Sequence, residues 1–413
     1  MNTLQELIAR NRAGEPRGIA AWCTAHPETL SAIVSTYTHD DAPILVEATC
    51  NQVNQQGGYT GMTPGDFRRF IEEIARGQGV APSRLILGGD HLGPNPWRSL
   101  PADVAMDRAK AMVAAYVQAG FTKIHLDASM PCGGETLPEE VMAERAADLA
   151  LVAERAAAGA PLGYVIGTEV PIPGGETAPV DRLAVTSPEA ARRTIALHRA
   201  AFAKRGLEPA MDRVLAVVVQ PGVDFGNRQI IAFDPPQAAG LSAAVPSLGG
   251  PVFEAHSTDY QSAEALRALV SGHFGILKVG PELTFAYRQA VLALERLAQM
   301  MGLPYGVEAA LRQAMAEDPR DWRAYVEQGP DEDRMMIWGL SDRVRYYWPK
   351  PVVKAAVARL FAALRNSGPE PGLLAQVTGG LAGPVDAAML PETVIGRMVG
   401  DVVMRYRKAT GEF

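Results

Sequence analysis

The sequence predicts an α/β protein, a (β/α)8 TIM barrel with a helical C-terminal extension. Eight short β-rich segments alternate with longer helical patterns through residues 1–301, which is the order of elements in such a barrel. An open doubly wound sheet would have fewer strands and usually a G-x-G-x-x-G loop after the first strand. No such loop follows the first predicted strand and no Walker loop is present, which also argues against a nucleotide-binding protein.

The predicted strands are short and mostly apolar. They span residues 18–23, 43–49, 84–88, 123–127, 163–169, 214–220, 252–256 and 275–279. Helical patterns, with apolar residues at a spacing of three to four, cover the N-terminus and residues 27–38, 64–77, 102–120, 138–158, 188–206 and 283–301. Several of these helices begin with Pro and end with Gly, as helix ends often do.

Strand patterns stop after residue 301. We therefore divide the chain into a barrel with its N-terminal helix, residues 1–301, and a helical C-terminal extension, residues 302–413, packed on the barrel. Helices are predicted at 307–316, 322–327, 351–366 and 391–408. Proline and charged residues in AEDPRDW, GPDEDR and YWPKP predict the turns between them.

The composition indicates a soluble globular protein, with 47% hydrophobic and 21% charged residues. A formal net charge of −7 and the absence of any basic run argue against a nucleic-acid partner. Cys23, Cys50 and Cys132 are too few for a disulfide framework or a cysteine-rich zinc site. Because no run of about 18 apolar residues occurs, we expect a cytoplasmic protein that does not bind membranes.

Asp90 and His91 form the centre of the predicted site. They follow an apolar run in LILGGDHLGPNPW, residues 85–97, at the end of a strand where a barrel places its active site. Other strand ends also carry polar residues, namely Glu47 and Asn51, His125 and Asp127, Glu169, Gln220, Glu254 and His256, Ser257 and Asp259, and Lys278. A barrel would have little reason to bury so many ionisable groups unless they form a metal or catalytic site.

A divalent metal explains the placement of His91 and His256 on the third and seventh predicted strands. Imidazole and carboxylate ligands together suit Zn²⁺ or a similar ion, which can polarise a hydroxyketone. The third ligand is left open among Glu169, Asp127 and Gln220. We favour Glu169, since a carboxylate also neutralises the cation.

Proton transfer is assigned to Asp90, with Glu169 and Asp127 as the other catalytic candidates. The alternative for Asp90 is that it only orients a histidine. In barrels, the loops after strands seven and eight commonly bind phosphate. The cluster SDRVRYYW at residues 341–348 could also bind phosphate through its arginines, or pack the extension onto the barrel instead. The predicted substrate-binding residues are Glu47, Asn51, Gln220, Ser257, Asp259, Lys278, Arg343 and Arg345.

Long motifs of this chain resemble one family. They are GIAAWCTAHPETL, EATCNQVNQQGGYTGM, GGDHLGPNPW, KIHLDASMP, VVVQPGVDFGN, FEAHSTDYQ, ILKVGPELTFA and SDRVRYYW. They are similar to the GatZ/KbaZ family, known as accessory subunits of class II tagatose-bisphosphate aldolase, and the likeness spans essentially the whole chain. The resemblance implies a TIM barrel. More distantly, Asp90, His91 and His256 match metal-site residues of the class II aldolases themselves.

The chain departs from the class II aldolases at two positions. Their further metal-binding histidine near strand six is replaced by the stretch QPGVD, residues 220–224, and their phosphate-binding asparagine after strand eight corresponds to Gly280. Some members of the GatZ/KbaZ family are regarded as 4-epimerases of tagatose 6-phosphate. The resemblance therefore implies either such an epimerase or a non-catalytic subunit that stabilises an aldolase.

We favour the epimerase, because a stabilising subunit has no need of so many ionisable groups around one cavity. The expected reaction converts D-tagatose 6-phosphate to D-fructose 6-phosphate by metal-assisted retro-aldol cleavage and re-addition. The expected ligands are a divalent metal and a phosphorylated ketohexose. In the accessory-subunit alternative the partner is a class II aldolase catalytic subunit, and a homo-oligomer is left open. A sugar-phosphate kinase would need an ATP site that the sequence does not show.

Overall fold

The computed structural model describes residues 3–168, 183–381 and 385–412. In these residues eight parallel strands close into a barrel, in the order β1 (Ile19–Cys23), β2 (Ile44–Thr49), β3 (Leu85–Leu92), β4 (Lys123–Leu126), β5 (Gly163–Ile166), β6 (Val214–Val219), β9 (Val252–Ala255) and β10 (Phe274–Val279). A small antiparallel pair, β7 (Asp224–Phe225) and β8 (Ile230–Ile231), follows β6. The predicted fold class is confirmed.

Helices surround the barrel. They are α1 (Thr3–Arg12), α2 (Pro27–Ser35), α3 (Pro64–Gly77), α4 (Ala102–Gln118), α5 (Glu139–Ala157), α6 (Pro188–Ala203), α7 (Glu208–Met211), α8 (Pro235–Ala244), α9 (Ala263–Ser271), α10 (Pro281–Met300), α11 (Val307–Glu317), α12 (Glu332–Trp338), α13 (Pro351–Arg365), α14 (Pro371–Thr378) and α15 (Leu390–Ala409). Their N-termini follow local sequence rules. Thr63 and Asp66 form a capping box at α3, and Ser187 and Ser262 cap α6 and α9.

Helix α1 closes the amino-terminal end of the barrel. Leu4 and Ile8 are buried in the same apolar cluster as barrel residues such as Ile19, Leu45 and Ile276. The strands therefore meet a packed floor at one end, and the end that remains for a ligand is the carboxyl end.

The C-terminal helix α15 is part of the barrel wall. It packs against α2, α9 and α10 and touches β1. The Tyr406 hydroxyl donates a hydrogen bond of 2.6 Å to the carbonyl oxygen of Thr258, just after β9, and the buried Arg407 forms ion pairs with Asp40 and Glu412. The last helix thus joins the end of the chain to its first strand. The division into domains at residue 301 stays a prediction.

Three predicted boundaries differ from the structure. The third strand runs to Leu92 rather than ending at residue 88, because the chain stays paired through an irregularity described below. Residues 322–327 contain only a 3₁₀ turn, Arg323–Tyr325. The stretch GPDEDR, residues 329–334, was predicted to be a turn, but a helix begins within it at Glu332 and runs to Trp338, since Met336 and Ile337 pack into the core and acidic residues begin it. None of the helices in the described ranges combines the length and apolarity required of a membrane span.

Candidate active site

A cavity of about 640 Å³ opens at the carboxyl end of the barrel. Its walls come from the strand ends and the loops after them, from α10 and from α13. Seven of the residues predicted for the site line this cavity, namely Asn51, His91, His256, Ser257, Asp259, Lys278 and Arg345. Residues from distant parts of the sequence are therefore brought together where the fold predicts an active site.

His91 reaches the cavity because β3 is irregular at its end. The register between β3 and β4 shifts between Gly89 and Leu92. His91 has a φ of 49°, a left-handed conformation that costs a residue other than glycine of order 1–3 kcal/mol. Ser257, which also lines the cavity, has a φ of 53°. Strained residues of this kind cluster at functional sites.

Three imidazoles stand together at the base of the cavity, one each from β3, β4 and the end of β9. The ring centroids lie 5.0 Å apart for His91 and His125, 5.0 Å for His91 and His256, and 5.4 Å for His125 and His256. His125 was noted at a strand end in the sequence but was given no role as a ligand. The structure makes it the third histidine of the site.

Carboxylates fix the orientation of two of these rings. Nδ1 of His91 lies 2.7 Å from Oδ2 of Asp127, and Nε2 of His256 lies 2.9 Å from Oε1 of Glu254. Asp127 is held in turn by the backbone N–H and the hydroxyl of Ser129. Burial alone would raise the pKa of Asp127, but the hydrogen bond and charge of His91 lower it well below its usual range. Asp127 is thus placed to orient His91.

The ligand atoms that could hold one metal ion belong to Asp90, His125, Glu254 and His256, since these atoms lie within 4.8 Å of one another. His91 is not part of this group, although its ring stands beside those of His125 and His256. Nε2 of His125 is buried without a hydrogen-bond partner in the described residues, and such an atom needs an explanation in a native protein. Burial lowers the pKa of His125 to about 3 and also lowers that of His256, so both rings are neutral at pH 7, as metal ligands must be.

Asp90 lies beside the three rings. Its Oδ1 is 2.9 Å from Nδ1 of His125, and its Oδ2 forms an ion pair with Lys278 and accepts a weak hydrogen bond from Cys23 Sγ at 3.8 Å. Burial lowers the pKa of Lys278 and raises that of Cys23 to about 12. Asp90 is therefore a carboxylate next to a cation, close to the group of rings that could bind a metal.

Glu47 lies beneath the cavity rather than in its wall. Its Oε1 is 2.5 Å from Nζ of Lys123, and the same amine lies 2.6 Å from Oε2 of Glu254. Gly88 is in register with both Glu47 and Lys123, and a Cβ at Gly88 would lie 2.8 Å from the Glu47 side chain. The glycine in β3 therefore lets side chains of β2 and β4 meet across it.

The loops after β9 and β10 bring two carboxylates together, those of Asp259 and Glu282. Oδ1 of Asp259 accepts hydrogen bonds from the backbone N–H groups of Gly280, at 3.0 Å, and Glu282, at 2.8 Å. Burial and the nearby Glu282 raise the pKa of Asp259 to about 7. The N-terminus of α10, where phosphate was predicted, thus already holds a carboxylate.

The two arginines of the predicted cluster have different positions. Arg343 is buried and stacks on Tyr325 and Tyr346, with its guanidinium centre 3.5 and 4.6 Å from the two ring centroids. Arg345 lines the cavity beside Tyr346 and Tyr59. Arg343 therefore packs within the extension, as in the alternative to phosphate binding, while Arg345 faces the cavity.

Gln220 and Glu169 are the two predicted residues not yet described. Oε1 of Gln220 accepts hydrogen bonds from the N–H groups of Gly222 and Val223 and so shapes its own loop. Glu169, predicted as a catalytic residue and third metal ligand, lies outside the described residues. The alternation of His125 and Asp127 in KIHLDAS, which puts both side chains on one face of a strand, was the available signal for the histidine that was missed.

Comparison with known proteins identifies the family. Residues 4–411 match the family described as D-tagatose-1,6-bisphosphate aldolase subunit GatZ/KbaZ-like. The D-tagatose 6-phosphate 4-epimerase of Agrobacterium fabrum is 48% identical over 418 residues, which cover 99% of this chain and 98% of the relative. The D-tagatose-1,6-bisphosphate aldolase subunit GatZ of Shigella flexneri serotype 5b is 44% identical over 421 residues, or 99% of this chain and 100% of that protein.

A solved structure is similar to almost the whole of this chain. The crystal structure of "a probable tagatose 6 phosphate kinase from Sinorhizobium meliloti 1021" superposes with a TM-score of 0.85 at 45% identity, covering 95% of this chain and 100% of that one. The family match runs from residue 4, in the N-terminal helix, to residue 411. The chain belongs to the GatZ/KbaZ-like family.

Proposed function

We propose that this protein is a metal-dependent sugar-phosphate epimerase that interconverts D-tagatose 6-phosphate and D-fructose 6-phosphate. The observation that carries the proposal is the meeting of three imidazoles, His91, His125 and His256, with the Asp90–Lys278 ion pair at the base of one cavity. The 48% identity to a protein named as a D-tagatose 6-phosphate 4-epimerase supports it.

The reaction inverts only C4, which is not adjacent to the C2 carbonyl. Removal of the hydrogen on C4 would leave a negative charge with no neighbouring carbonyl to accept it. In a retro-aldol step, a base takes the proton of the C4 hydroxyl, the C3–C4 bond breaks, and its electron pair moves toward the C2 carbonyl. The resulting C4–C6 aldehyde rotates and C3 adds to its other face. The bond re-forms with C4 inverted, and the proton returns to the C4 oxygen.

The residues of the site divide this work. Asp90 accepts the proton of the C4 hydroxyl and returns it, and Lys278 stabilises the Asp90 carboxylate before the proton is taken up and after it is returned. Asp127 and Glu254 hold the rings of His91 and His256 in place. A Zn²⁺ or similar ion held by His125, His256 and a neighbouring carboxylate would supply Lewis-acid stabilisation of the charge that develops on the C2 oxygen.

The second candidate is a stabilising subunit of a class II D-tagatose-1,6-bisphosphate aldolase. The observation in its favour is the 44% identity, over almost all of both chains, to proteins named as aldolase subunit GatZ. In this role the protein would bind an aldolase catalytic subunit and would not depend on Asp90 or on a metal.

An assay with purified components tests the proposal. The protein alone, supplied with Zn²⁺, should interconvert the two ketose 6-phosphates, and a chelator should abolish the reaction. Asp90→Asn should lower kcat at least ~10²-fold, the usual contribution of a general acid–base group, whereas the control Asp103→Asn on the exposed surface of α4 should leave it unchanged. No turnover, together with raised activity of a co-expressed aldolase, would instead establish the accessory subunit.

A further inference from the structure

Part of the cavity wall comes from the C-terminal extension rather than from the barrel loops. Ser341, Arg345, Tyr346 and Trp348 all line the cavity. They belong to one short stretch, residues 339–348, which contains a 3₁₀ turn at Arg343–Tyr346 and which we call the wall segment. The shape of the cavity on this side therefore depends on what holds the wall segment to the barrel.

Asp342 anchors the wall segment to α10, the helix that follows the last barrel strand. Its side chain is fully buried, and its Oδ2 accepts a hydrogen bond of 2.6 Å from the hydroxyl of Thr284. Its Oδ1 lies 2.9 Å from Nη1 of Arg288, whose side chain is also buried. Thr284 and Arg288 are four residues apart in α10, so they lie on one face of that helix. One carboxylate thus joins two side chains of this face to the wall segment.

The backbone of Asp342 orients Arg345 directly. The carbonyl oxygen of Asp342 accepts a hydrogen bond of 3.1 Å from the backbone N–H of Arg345 and one of 3.0 Å from the Arg345 guanidinium. The same guanidinium donates a hydrogen bond of 3.1 Å to the hydroxyl of Tyr346. A displacement of Asp342 would therefore move two side chains that line the cavity, whereas Asp342 does not itself line it.

Asp342 makes these contacts from an unusual backbone conformation. Its φ of 44° and ψ of 53° lie in the left-handed region, which glycine adopts more easily than residues with a side chain. A residue remains in such a conformation when its surroundings hold it there, and residues of this kind cluster at binding and catalytic sites. The contacts with Thr284 and Arg288 are what hold Asp342 in place.

The wall segment is also attached to the barrel just before Asp342. The N–H of Leu340 donates a hydrogen bond of 3.1 Å to the carbonyl oxygen of Asn227, in the loop after β6. The carbonyl oxygen of Leu340 accepts one of 2.5 Å from the hydroxyl of Tyr260, in the loop after β9. The segment is thus fixed to two barrel loops before the turn, and Asp342 extends that attachment to the turn itself.

We propose that Asp342 is a positioning residue of the active site: bound to Thr284 and Arg288, it holds the wall segment where Arg345 and Tyr346 contact the substrate. This role rests on the proposed function and adds to it a residue that does not touch the reacting atoms. Asp342 is not among the residues whose ligand atoms could hold a metal ion. Its loss should therefore weaken the binding of the sugar phosphate and leave the binding of the metal unchanged.

Calorimetric titration of the Zn²⁺-supplied protein with fructose 6-phosphate measures this role without turnover. Asp342→Asn keeps an oxygen for the Thr284 hydroxyl but removes the charge opposite Arg288. It should raise the Kd at least ~tenfold, since small displacements of positioning groups have large effects. Arg288→Lys keeps the positive charge and should raise the Kd less. In the epimerase assay, Asp342→Asn should raise KM and leave kcat within about twofold, because binding is lost equally from ground state and transition state.

A double-mutant cycle separates positioning from a general loss of structure. If Asp342 acts through Arg345, adding Asp342→Asn to Arg345→Gln should change the Kd by less than about twofold beyond the effect of Arg345→Gln alone. The matched control is Glu412→Gln. Glu412 is likewise a buried carboxylate paired with a buried arginine, Arg407, but neither residue lines the cavity, so this variant should bind fructose 6-phosphate as tightly as the wild type.

Unchanged affinity for fructose 6-phosphate in folded Asp342→Asn and Arg288→Lys variants would overturn the positioning role. So would an equal effect of Asp342→Asn with and without Arg345, a fall in Zn²⁺ affinity of Asp342→Asn in competition with a chelator, or a wild type that binds no fructose 6-phosphate. The expected pattern of affinities in a protein that fails to epimerise would support the role of Asp342 and overturn only the proposed reaction.

Discussion

Two charged clusters lie one above the other inside the barrel, and they differ in whether they reach the cavity. In the lower cluster, Lys123 lies 2.5 Å from Glu47 and 2.6 Å from Glu254, and all three side chains are fully buried. In the upper cluster, Nε2 of His125 has no hydrogen-bond partner in the described parts of the chain, and two of its three imidazoles line an open cavity. The lower cluster also holds a buried atom without a hydrogen-bond partner, Oε2 of Glu47. Neither burial nor an unpaired atom therefore marks the site; contact with the cavity does.

Removing the shared cation of the lower cluster should produce the largest effect on stability. Lys123→Met leaves Glu47 and Glu254 buried and close together without their common partner. Breaking a buried ion pair in this way costs about 3–5 kcal/mol. Urea denaturation of the metal-free protein measures the change.

Two further variants test the cause of this loss. Lys204→Met removes an exposed ion pair with Glu144 and should cost less than about 1 kcal/mol. Adding Glu47→Gln to Lys123→Met should restore part of the lost stability, because one of the two unpaired charges is removed. If Lys123→Met were as stable as the wild type, the lower cluster would not be the structural element described here.

Replacing the unpaired histidine of the upper cluster should affect metal binding instead. His125→Gln removes one imidazole of the group Asp90, His125, Glu254 and His256, whose ligand atoms lie within 4.8 Å of one another. We expect its affinity for Zn²⁺ to fall at least ~10²-fold, since the effect of losing a ligand should be no smaller than the 10–100-fold typical of losing a group that merely orients one. Competition with a chromophoric chelator gives the affinity directly.

His198→Gln is the matched control for this change. His198 is also buried, but it lies on α6 with its Nδ1 bonded to the carbonyl oxygen of Thr194 at 2.8 Å, and it does not line the cavity. The His198→Gln variant should bind Zn²⁺ with the affinity of the wild type. An unchanged Zn²⁺ affinity in the His125 variant would remove that residue from the metal site.

The same comparison shows what could be predicted from the sequence. The barrel followed from the alternation of strand and helix patterns, and the Asp90–His91 pair followed from its place at a strand end, because both depend on local sequence. His125 was seen but not recognised as a partner of His91. The register shift at the end of β3 brings side chains of β3 and β4 together, and the sequence of either strand alone does not predict that shift.

Asp259 and Arg343 show the same limit for charged residues. Asp259 was expected to contact substrate, and its capping of α10 depends on the packing of two loops. Arg343 and Arg345 are two residues apart in one motif, and only the folded chain distinguishes the one stacked between tyrosines from the one at the cavity. Fold class thus depends on periodicity, whereas roles in the site depend on long-range pairing.

A buried histidine outside both clusters shows what burial alone does to an imidazole. Burial lowers the pKa of His198 to about 4, whereas in the unfolded chain it lies near 6.5. Between these values the unfolded state binds the extra proton, so the free energy of unfolding of the metal-free protein should fall as pH falls from about 6.5 toward 4. His198→Gln should reduce this slope by up to about 1.4 kcal/mol per pH unit, as followed by urea denaturation at several pH values. His39 is exposed, so the control His39→Gln should leave the slope unchanged. If His198→Gln also left the slope unchanged, the acid sensitivity could not be assigned to this buried imidazole.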